Sequence, residues 1–214
     1  MITYIIIGVT IIVSIMAFPP QIAAPDFLRK PGLINRLEFN PYLVYHRKQY
    51  YRLFTSALVH SGWFHLLINM FVLYSFGRLV EAYFVSYFGF AGGELLYLFF
   101  YVSAVAVASL ADLNKFKDSP YYNAVGASGA VSAVVYAAIL FQPLSKLYIF
   151  PIPIPIPAIL FGVIYLLYES QMAKRQVDNI GHSAHFYGSL YGLLFPILLR
   201  PAFFMEFLSK LHLL

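Results

Sequence analysis

The sequence predicts an all-α membrane protein with six membrane-spanning helices. Of its 214 residues, 61% are hydrophobic and only 11% are charged, whereas about 25% are charged in a typical soluble domain. The apolar residues form six separate runs, at approximately 2–18, 57–83, 89–111, 124–141, 158–168 and 180–199. Polar residues, prolines and charges gather between the runs. We therefore expect one polytopic membrane domain over residues 1–214.

Charge and cysteine content exclude several function classes. The net charge is +5, but the basic residues lie in loops between apolar runs, where anionic lipid headgroups are nearer partners than nucleic acid. The chain has no cysteine, which excludes disulfides, thiolate metal sites and a cysteine nucleophile. We expect a lipid bilayer as a partner and no nucleic acid.

The first run, Ile2 to Phe18, is close to the minimum of about 17 residues for a spanning helix. No lysine or arginine precedes it, and two prolines follow it instead of a small-residue cleavage site. We expect a retained helix rather than a signal peptide. The loop that follows, residues 19–52, mixes arginines and lysines with tyrosines, which is typical of a segment at the bilayer interface.

The second run carries polar side chains within an apolar stretch. His65 and Asn69 are four residues apart and share a helix face. A hydrogen-bonded pair between helices would explain them as well as catalysis would. A metal site is the weaker reading, because His60 and His65 are five apart and no carboxylate or cysteine joins them. We expect no metal here.

The fourth run opens with Gly126-Ala127-Ser128-Gly129, and the sixth contains His185 followed by Gly188 and Gly192. Small residues alone are explained by close helix packing. Ionisable side chains at membrane depth are costly and usually functional, so a serine on one span and a histidine on another suggest a nucleophile and its base. Gly188 and Gly192 share the face of His185, and would let a neighbouring helix come close.

The segment before the fifth run reads YIFPIPIPIP, from Tyr148 to Pro157. Alternate prolines lack N–H donors and fix φ, so no helix can form there. We expect an extended segment that leads into a short fifth span. The polar residues from Glu169 to Asn179 are expected to form the next loop.

Taken together and in this order, these motifs resemble the rhomboid intramembrane serine proteases. The resemblance covers about residues 50–199 and rests on Tyr51-Arg52, His60, His65, Asn69, Gly126-Ala127-Ser128-Gly129, Ala184-His185, Gly188 and Gly192. It implies the minimal, six-helix form of that fold.

The resemblance implies that Ser128 is the nucleophile and His185 its general base, a dyad without a third carboxylate that acts through an acyl-enzyme. The oxyanion would be stabilised by Asn69, His65 and the backbone N–H of Ser128. The substrate would be a transmembrane segment of another membrane protein, with no cofactor and no metal. Of the acidic residues, Glu94, Glu169 and Asp178 are not spaced to form a triad.

Two other functions fit parts of the pattern. The first is a catalytically silent rhomboid-like protein that binds transmembrane helices, but members of that class lack the serine or the histidine. The second is a small transporter with a polar pathway through the histidines, but the repeated halves and paired broken helices typical of transporters are missing.

Some features depart from the family pattern or conflict with it. Ser132 stands where many relatives carry an aromatic ring stacked on the catalytic histidine, and we expect Tyr136 or Tyr187 to take that place. His182 is expected to be structural or solvent-exposed. Ten of the fourteen basic residues fall in the first, third and fifth loops. The positive-inside rule places those loops in the cytoplasm, whereas the resemblance places them on the opposite side of a plasma or inner membrane.

Overall fold

The fold is a bundle of helices with one small hairpin. The computed structural model describes residues 1–18, 22, 30, 32–149, 152–175 and 180–213. Within them, the helices and strands are α1 (Ile2–Ala17), α2 (Leu33–Leu37), α3 (Pro41–Arg47), α4 (Arg52–Thr55), a 3₁₀ turn (Ser56–Leu58), α5 (Trp63–Phe88), α6 (Phe90–Phe116), α7 (Ser128–Phe141), β1 (Lys146–Ile149), β2 (Ile152–Pro157), α8 (Ala158–Arg175), α9 (His182–Leu199) and α10 (Ala202–Lys210).

Several helices have the length and composition of membrane spans. Among the described residues, α5 and α6, with 26 and 27 residues, are each long and apolar enough to cross a bilayer. The helices α9 and α10 meet at 115° and pass the same test when taken together. The helices α1 and α7 are apolar but shorter, with 16 and 14 residues. A helical membrane bundle is therefore confirmed, and the count of six spans stays a prediction.

The second helix starts later than its apolar run. We expected it from residue 57, but α5 begins at Trp63, after a 3₁₀ turn and the extended residue Val59. His60, which precedes the helix, is fully buried and bonds to Ser14 of α1. Ala57 and Val59 in this segment are buried as well, and hydropathy alone does not distinguish such buried residues from part of a membrane span.

The fifth helix is longer than predicted. The expected span ended at residue 168, but α8 continues to Arg175. The prediction of a loop that starts at Glu169 was therefore wrong. Residues 176–179 lie outside the described part of the chain. Glutamate, glutamine, lysine and arginine are good helix formers, so the helix outlasts the apolar run. As a result, Glu169 lies on a helix and is buried.

The long first loop is folded against the bundle through α2, α3 and α4. Arg52 is buried and donates hydrogen bonds to the carbonyls of Asn35 and Glu38 at 2.9 and 2.8 Å. Phe39 pairs with Ala124 through two backbone hydrogen bonds of 2.9 Å. The loop thereby holds the segment that enters α7, and its place at the membrane interface remains a prediction.

The centre of the bundle is the contact between α7 and α9. A Cβ added to Gly188 would lie 2.1 Å from the carbonyl oxygen of Gly129, and one added to Gly192 would lie 2.1 Å from that of Ala133. The two backbones therefore touch, which only glycine permits. This close contact brings the N-terminal ends of the two helices together.

The proline-rich segment forms a hairpin, with β1 antiparallel to β2. Leu147 pairs with Ile156 and Ile149 with Ile152, and a bulge lies between Leu147 and Ile149. The predicted extended conformation is confirmed for the described residues of this segment. The expectation of an all-α fold missed this small sheet, because proline patterns exclude helix but do not by themselves indicate a pairing partner.

Candidate active site

Ser128 and His185 meet where α7 and α9 begin. Ser128 is the first residue of α7 and His185 the fourth of α9, and the distance from Ser128 Oγ to His185 Nε2 is 2.7 Å. This is a normal hydrogen-bond length, short enough for an imidazole to accept a hydroxyl proton. His185 is 12% exposed at its side chain, so the imidazole is largely shielded from solvent, and Ser128 is half-buried.

The other ring nitrogen of His185 faces a carboxylate. Glu169 Oε1 lies 3.1 Å from His185 Nδ1, and the Tyr165 hydroxyl lies 3.4 Å from the same nitrogen. An ionised carboxylate only accepts hydrogen bonds, so the contact requires a proton on Nδ1. We expected Glu169 not to be spaced for a triad, and this was wrong, because its carboxylate lies within hydrogen-bond distance of His185. Asp178 lies outside the described residues, and Glu94 pairs with the backbone nitrogen of Met1 at 2.7 Å.

The second oxygen of the carboxylate is also bonded. Glu169 Oε2 lies 2.5 Å from His182 Nδ1, and both residues are buried, at 2% and 4% exposure. His182 is thus an interior residue, and of the two roles expected for it the structural one fits. The ligand atoms of Glu169, His182 and His185 come within 4.8 Å of one another, a spacing that a divalent ion could also fill. Hydrogen bonding already engages both carboxylate oxygens and accounts for the arrangement.

The residues expected to stabilise an oxyanion line the same cavity as Ser128 and His185, with a volume of about 990 Å³. Asn69 is buried, and its side-chain Nδ2 donates to the His65 carbonyl at 2.8 Å, which leaves its second N–H for a ligand. His65 Nδ1 lies 3.1 Å from the Ser61 hydroxyl. Because Ser128 starts a helix, its backbone N–H has no acceptor within that helix.

The loop that carries Ser128 is fixed by hydrogen bonds. Gly126 has φ +118°, a conformation that favours glycine, and a Cβ there would lie 2.6 Å from His65 Cε1. Its N–H donates to the carbonyl of Ser56 at 2.9 Å. The predicted span starting at residue 124 was therefore too long, because the chain turns at Gly126 and becomes helical only at Ser128.

His60 holds the residue next to the serine. The Ser14 hydroxyl donates to the Leu58 carbonyl at 2.9 Å, so it accepts from His60 Nδ1, also at 2.9 Å. His60 Nε2 is then free to accept the backbone N–H of Ala127 at 3.3 Å. Both bonds require a neutral imidazole with its proton on Nδ1. His60 therefore positions the loop rather than taking part in proton transfer.

A second anchor lies at the rim of the cavity. Buried Asp112 of α6 accepts hydrogen bonds from Ser183 of α9 and, at 2.9 Å, from the Tyr122 hydroxyl. Burial raises the pKa of Tyr122, and the Asp112 carboxylate raises it further, so the phenol is a donor at neutral pH. Asp112 thus ties the start of α9 to the loop before α7.

The aromatic contact expected on the histidine is replaced by other groups. Tyr136 donates to the Gly162 carbonyl at 2.5 Å, and Tyr187 is 49% exposed and packs edge-on against Phe186. The hydroxyl of Tyr165 and the carboxylate of Glu169, both from α8, lie beside His185, and the ring of His182 packs edge-on against it with the centroids 6.2 Å apart. A polar environment therefore orients the imidazole.

Sequence reasoning missed Glu169, although a signal for it was present. Ala158, Gly162 and Glu169 are the buried residues of α8, at offsets of 0, 4 and 11, and Tyr165 falls on the same stripe at offset 7. This is one helix face. A carboxylate in line with a glycine and a tyrosine on that face indicates a polar group that points into the bundle.

These features define a class: a helical membrane protein with a serine and a histidine hydrogen-bonded inside its bundle. Comparison with known proteins identifies the particular family. The chain matches the Rhomboid domain over residues 47–202, well over half its length, and it belongs to the rhomboid family. The resemblance inferred from the motifs is confirmed.

A curated relative supports the assignment. The chain is 31% identical over 144 residues to RHOMBOID-like protein 12, mitochondrial, of Arabidopsis thaliana. The aligned region covers 64% of this chain and 43% of that protein, so the chain spans less than half of the relative's length.

Proposed function

We propose that this protein is an intramembrane serine endopeptidase that cleaves transmembrane segments of other membrane proteins. The observation that carries the proposal is the 2.7 Å contact between Ser128 Oγ and His185 Nε2 within the cavity. A serine hydroxyl is a poor nucleophile at neutral pH unless a neighbouring base accepts its proton. The exposed residues Phe64 and Tyr121 belong to the wall of the same cavity, so the cavity that contains Ser128 opens at the surface of the bundle.

In the acylation step, Ser128 Oγ forms a bond to the carbonyl carbon of the peptide, and its proton passes to His185 Nε2. The carbonyl oxygen takes the electron pair and becomes an oxyanion. When the oxyanion collapses, the C–N bond breaks, and the leaving amine takes the proton from His185. The products of this step are the acyl-enzyme and the new amino terminus.

In the deacylation step, water attacks the ester carbonyl while His185 accepts one of its protons. The C–Oγ bond then breaks, Ser128 recovers the proton, and a carboxylic acid leaves. The nucleophile is water and the base is imidazole, so no cofactor and no metal takes part in the proposed cycle.

Three donors support the oxyanion in both steps. They are the backbone N–H of Ser128, the side-chain amide of Asn69 and the imidazole of His65, which line one cavity with the nucleophile. Removing one such donor typically costs about 3 kcal/mol of transition-state stabilisation.

The walls of the cavity suit a hydrophobic polypeptide. Phe64 and Ile68 of α5 and Phe161 of α8 line it together with the polar residues around Ser128. A transmembrane segment presents such apolar side chains, and it exposes scissile carbonyls only where its helix is unwound. We place this chemistry in a six-span domain, residues 1–214, in a plasma or inner membrane.

The test uses a fluorophosphonate probe, which reacts with activated serine hydroxyls, on the detergent-solubilised protein. We expect labelling of the wild type and none of Ser128→Ala or His185→Ala. Ser75→Ala is the matched control, because Ser75 is an exposed hydroxyl that bonds to its own helix at the Phe71 carbonyl. Labelling that persists in Ser128→Ala would overturn the assignment of the nucleophile.

A second assay separates a protease from a binding protein that does not cut. The wild type and Ser128→Ala are reconstituted in liposomes with a synthetic single-span substrate that carries a crosslinker. We expect cleavage by the wild type only. A substrate that crosslinks to residues of the cavity but remains intact would favour a silent rhomboid-like protein that binds transmembrane helices.

A further inference from the structure

The buried carboxylate of Glu169 lies between two imidazoles. Its Oε1 is 3.1 Å from His185 Nδ1 and its Oε2 is 2.5 Å from His182 Nδ1. Its side chain is 3% exposed. A charge so thoroughly removed from water is strongly unfavourable unless hydrogen bonds and an opposite charge compensate it.

The hydrogen bond fixes the tautomer of His185. With its proton held on Nδ1 by the carboxylate, the imidazole presents a bare Nε2 to Ser128 Oγ, 2.7 Å away. The opposite tautomer would present an N–H to the serine and could not accept its proton. The tautomer of the imidazole therefore decides whether His185 can accept the proton of Ser128 and begin the reaction.

The charge of Glu169 matters once the proton has moved. During acylation His185 becomes an imidazolium, and a positive charge in a shielded site needs a partner. The carboxylate at 3.1 Å is such a partner, and it is in place before the reaction starts. His182 in turn holds the carboxylate through its second oxygen, which restricts the rotation of the Glu169 side chain.

We propose that Glu169 is a positioning residue for His185, so that the site works as a Ser128–His185–Glu169 triad with His182 as the support of the carboxylate. This inference rests on the proposed function, since it assigns a role within that reaction. Glu169 acts through the histidine and does not contact the serine or the substrate.

The surroundings of the triad contain other groups that could affect the histidine. Tyr165 of α8 is 3.4 Å from Nδ1 and competes for the same nitrogen. Tyr136 of α7, His65 of α5 and Asp112 of α6 line the same cavity as the triad. None of these is a carboxylate within hydrogen-bond distance of His185, so Glu169 is the group whose negative charge would stabilise the imidazolium.

The experiment compares cleavage of the synthetic substrate by the wild type, Glu169→Gln and Glu169→Asp. Glutamine keeps the size of the side chain but removes its charge and can donate to Nδ1. A donor at this place favours the tautomer of His185 that cannot act as a general base. We therefore expect kcat of Glu169→Gln to fall by about 10²-fold or more, while KM changes by less than about threefold. Glu169→Asp should recover part of kcat, because it keeps the charge.

The matched control is Glu206→Gln. Glu206 lies on α10 and forms a partly exposed ion pair with Arg200, so this substitution removes a carboxylate away from the site. It should cleave at the wild-type rate. A Glu169→Gln variant with kcat within about twofold of the wild type would overturn the inference. Absence of cleavage by the wild type itself would instead overturn the proposed function, so the two failures are distinct.

A second measurement needs no variant at Glu169, and it decides the matter if Glu169→Gln fails to fold. The protein is labelled with ¹⁵N-histidine, and the His185 signals are identified by their loss in His185→Ala. We expect a protonated Nδ1 and a bare Nε2 at neutral pH. A wild-type enzyme that cleaves with the proton of His185 resting on Nε2 would overturn the inference.

Discussion

The substitution Gly188→Ala tests whether the contact between α7 and α9 sets the geometry of the site. The new Cβ would lie 2.1 Å from the Gly129 carbonyl oxygen. The helices must separate by about 1 Å or more, because carbon and oxygen atoms that are not bonded rarely approach closer than about 3 Å. The contact is with backbone, so no side-chain rotation relieves it.

Gly188 lies three residues after His185 on α9, so the separation acts within one turn of the site. The Ser128–His185 distance would grow from 2.7 Å to about 3.7 Å, beyond the range of a hydrogen bond. A misplacement of about 1 Å can cost about 10²-fold in rate. Overpacking of this kind also lowers stability, typically by about 1–3 kcal/mol.

The assay follows fluorophosphonate labelling and thermal unfolding of the same detergent samples. Gly8→Ala of α1 is the matched control, because nothing lies within 4 Å of its added Cβ, and it should be labelled as fast as the wild type. If Gly188→Ala were labelled at the wild-type rate, the contact between α7 and α9 would not set the geometry of the site, because the site would tolerate a wider spacing of the two helices.

Three further outcomes are expected. His60→Leu leaves the buried N–H of Ala127 without its acceptor, and it should lower the free energy of unfolding by about 1–3 kcal/mol, measured by thermal denaturation, and slow labelling. Asp112→Asn weakens the bond from Tyr122 and should make the loop at residues 117–127 more sensitive to limited proteolysis. Lys115→Cys should react in sealed cells with a membrane-impermeant thiol reagent, as the family orientation requires; the chain has no native cysteine to compete.

Each of these has a contrary result. A His60→Leu protein with unchanged melting and labelling would show that the loop does not need this anchor. Equal proteolysis of Asp112→Asn and the wild type would show that the loop is held elsewhere. Modification of Lys115→Cys only after the cells are opened would favour the positive-inside count over the family orientation.

The sequence predicted the membrane class and the family, because both depend on local signals. Apolar runs of sufficient length indicate membrane helices, and the order of Ser128, His185 and the glycines along the chain is specific enough to identify a rhomboid. The proline pattern likewise predicted an extended segment, because the absence of N–H donors is a property of the residues themselves.

The charged part of the site could not be found in the same way. Glu169 follows the last apolar residue of its run, and hydropathy places a boundary there, although the helix continues to Arg175. Which face of that helix is buried depends on the packing of α8 against α9. The role of His60 could not be predicted for a similar reason, since its partners Ser14 and Ala127 come from distant parts of the chain.

The proline residues of β2 limit which strands can pair with the hairpin. The N–H of Ala158 donates to the carbonyl of Ser145 across the hairpin at 2.9 Å, so the N–H of Ile156, two residues earlier and in the same register, also points toward β1. Pro155 and Pro157 flank Ile156 on the opposite edge of the strand, and proline has no backbone N–H to donate. An unwound peptide beside this edge would meet backbone carbonyl acceptors but no N–H donors. Addition of a further strand at this edge of β2 is therefore disfavoured.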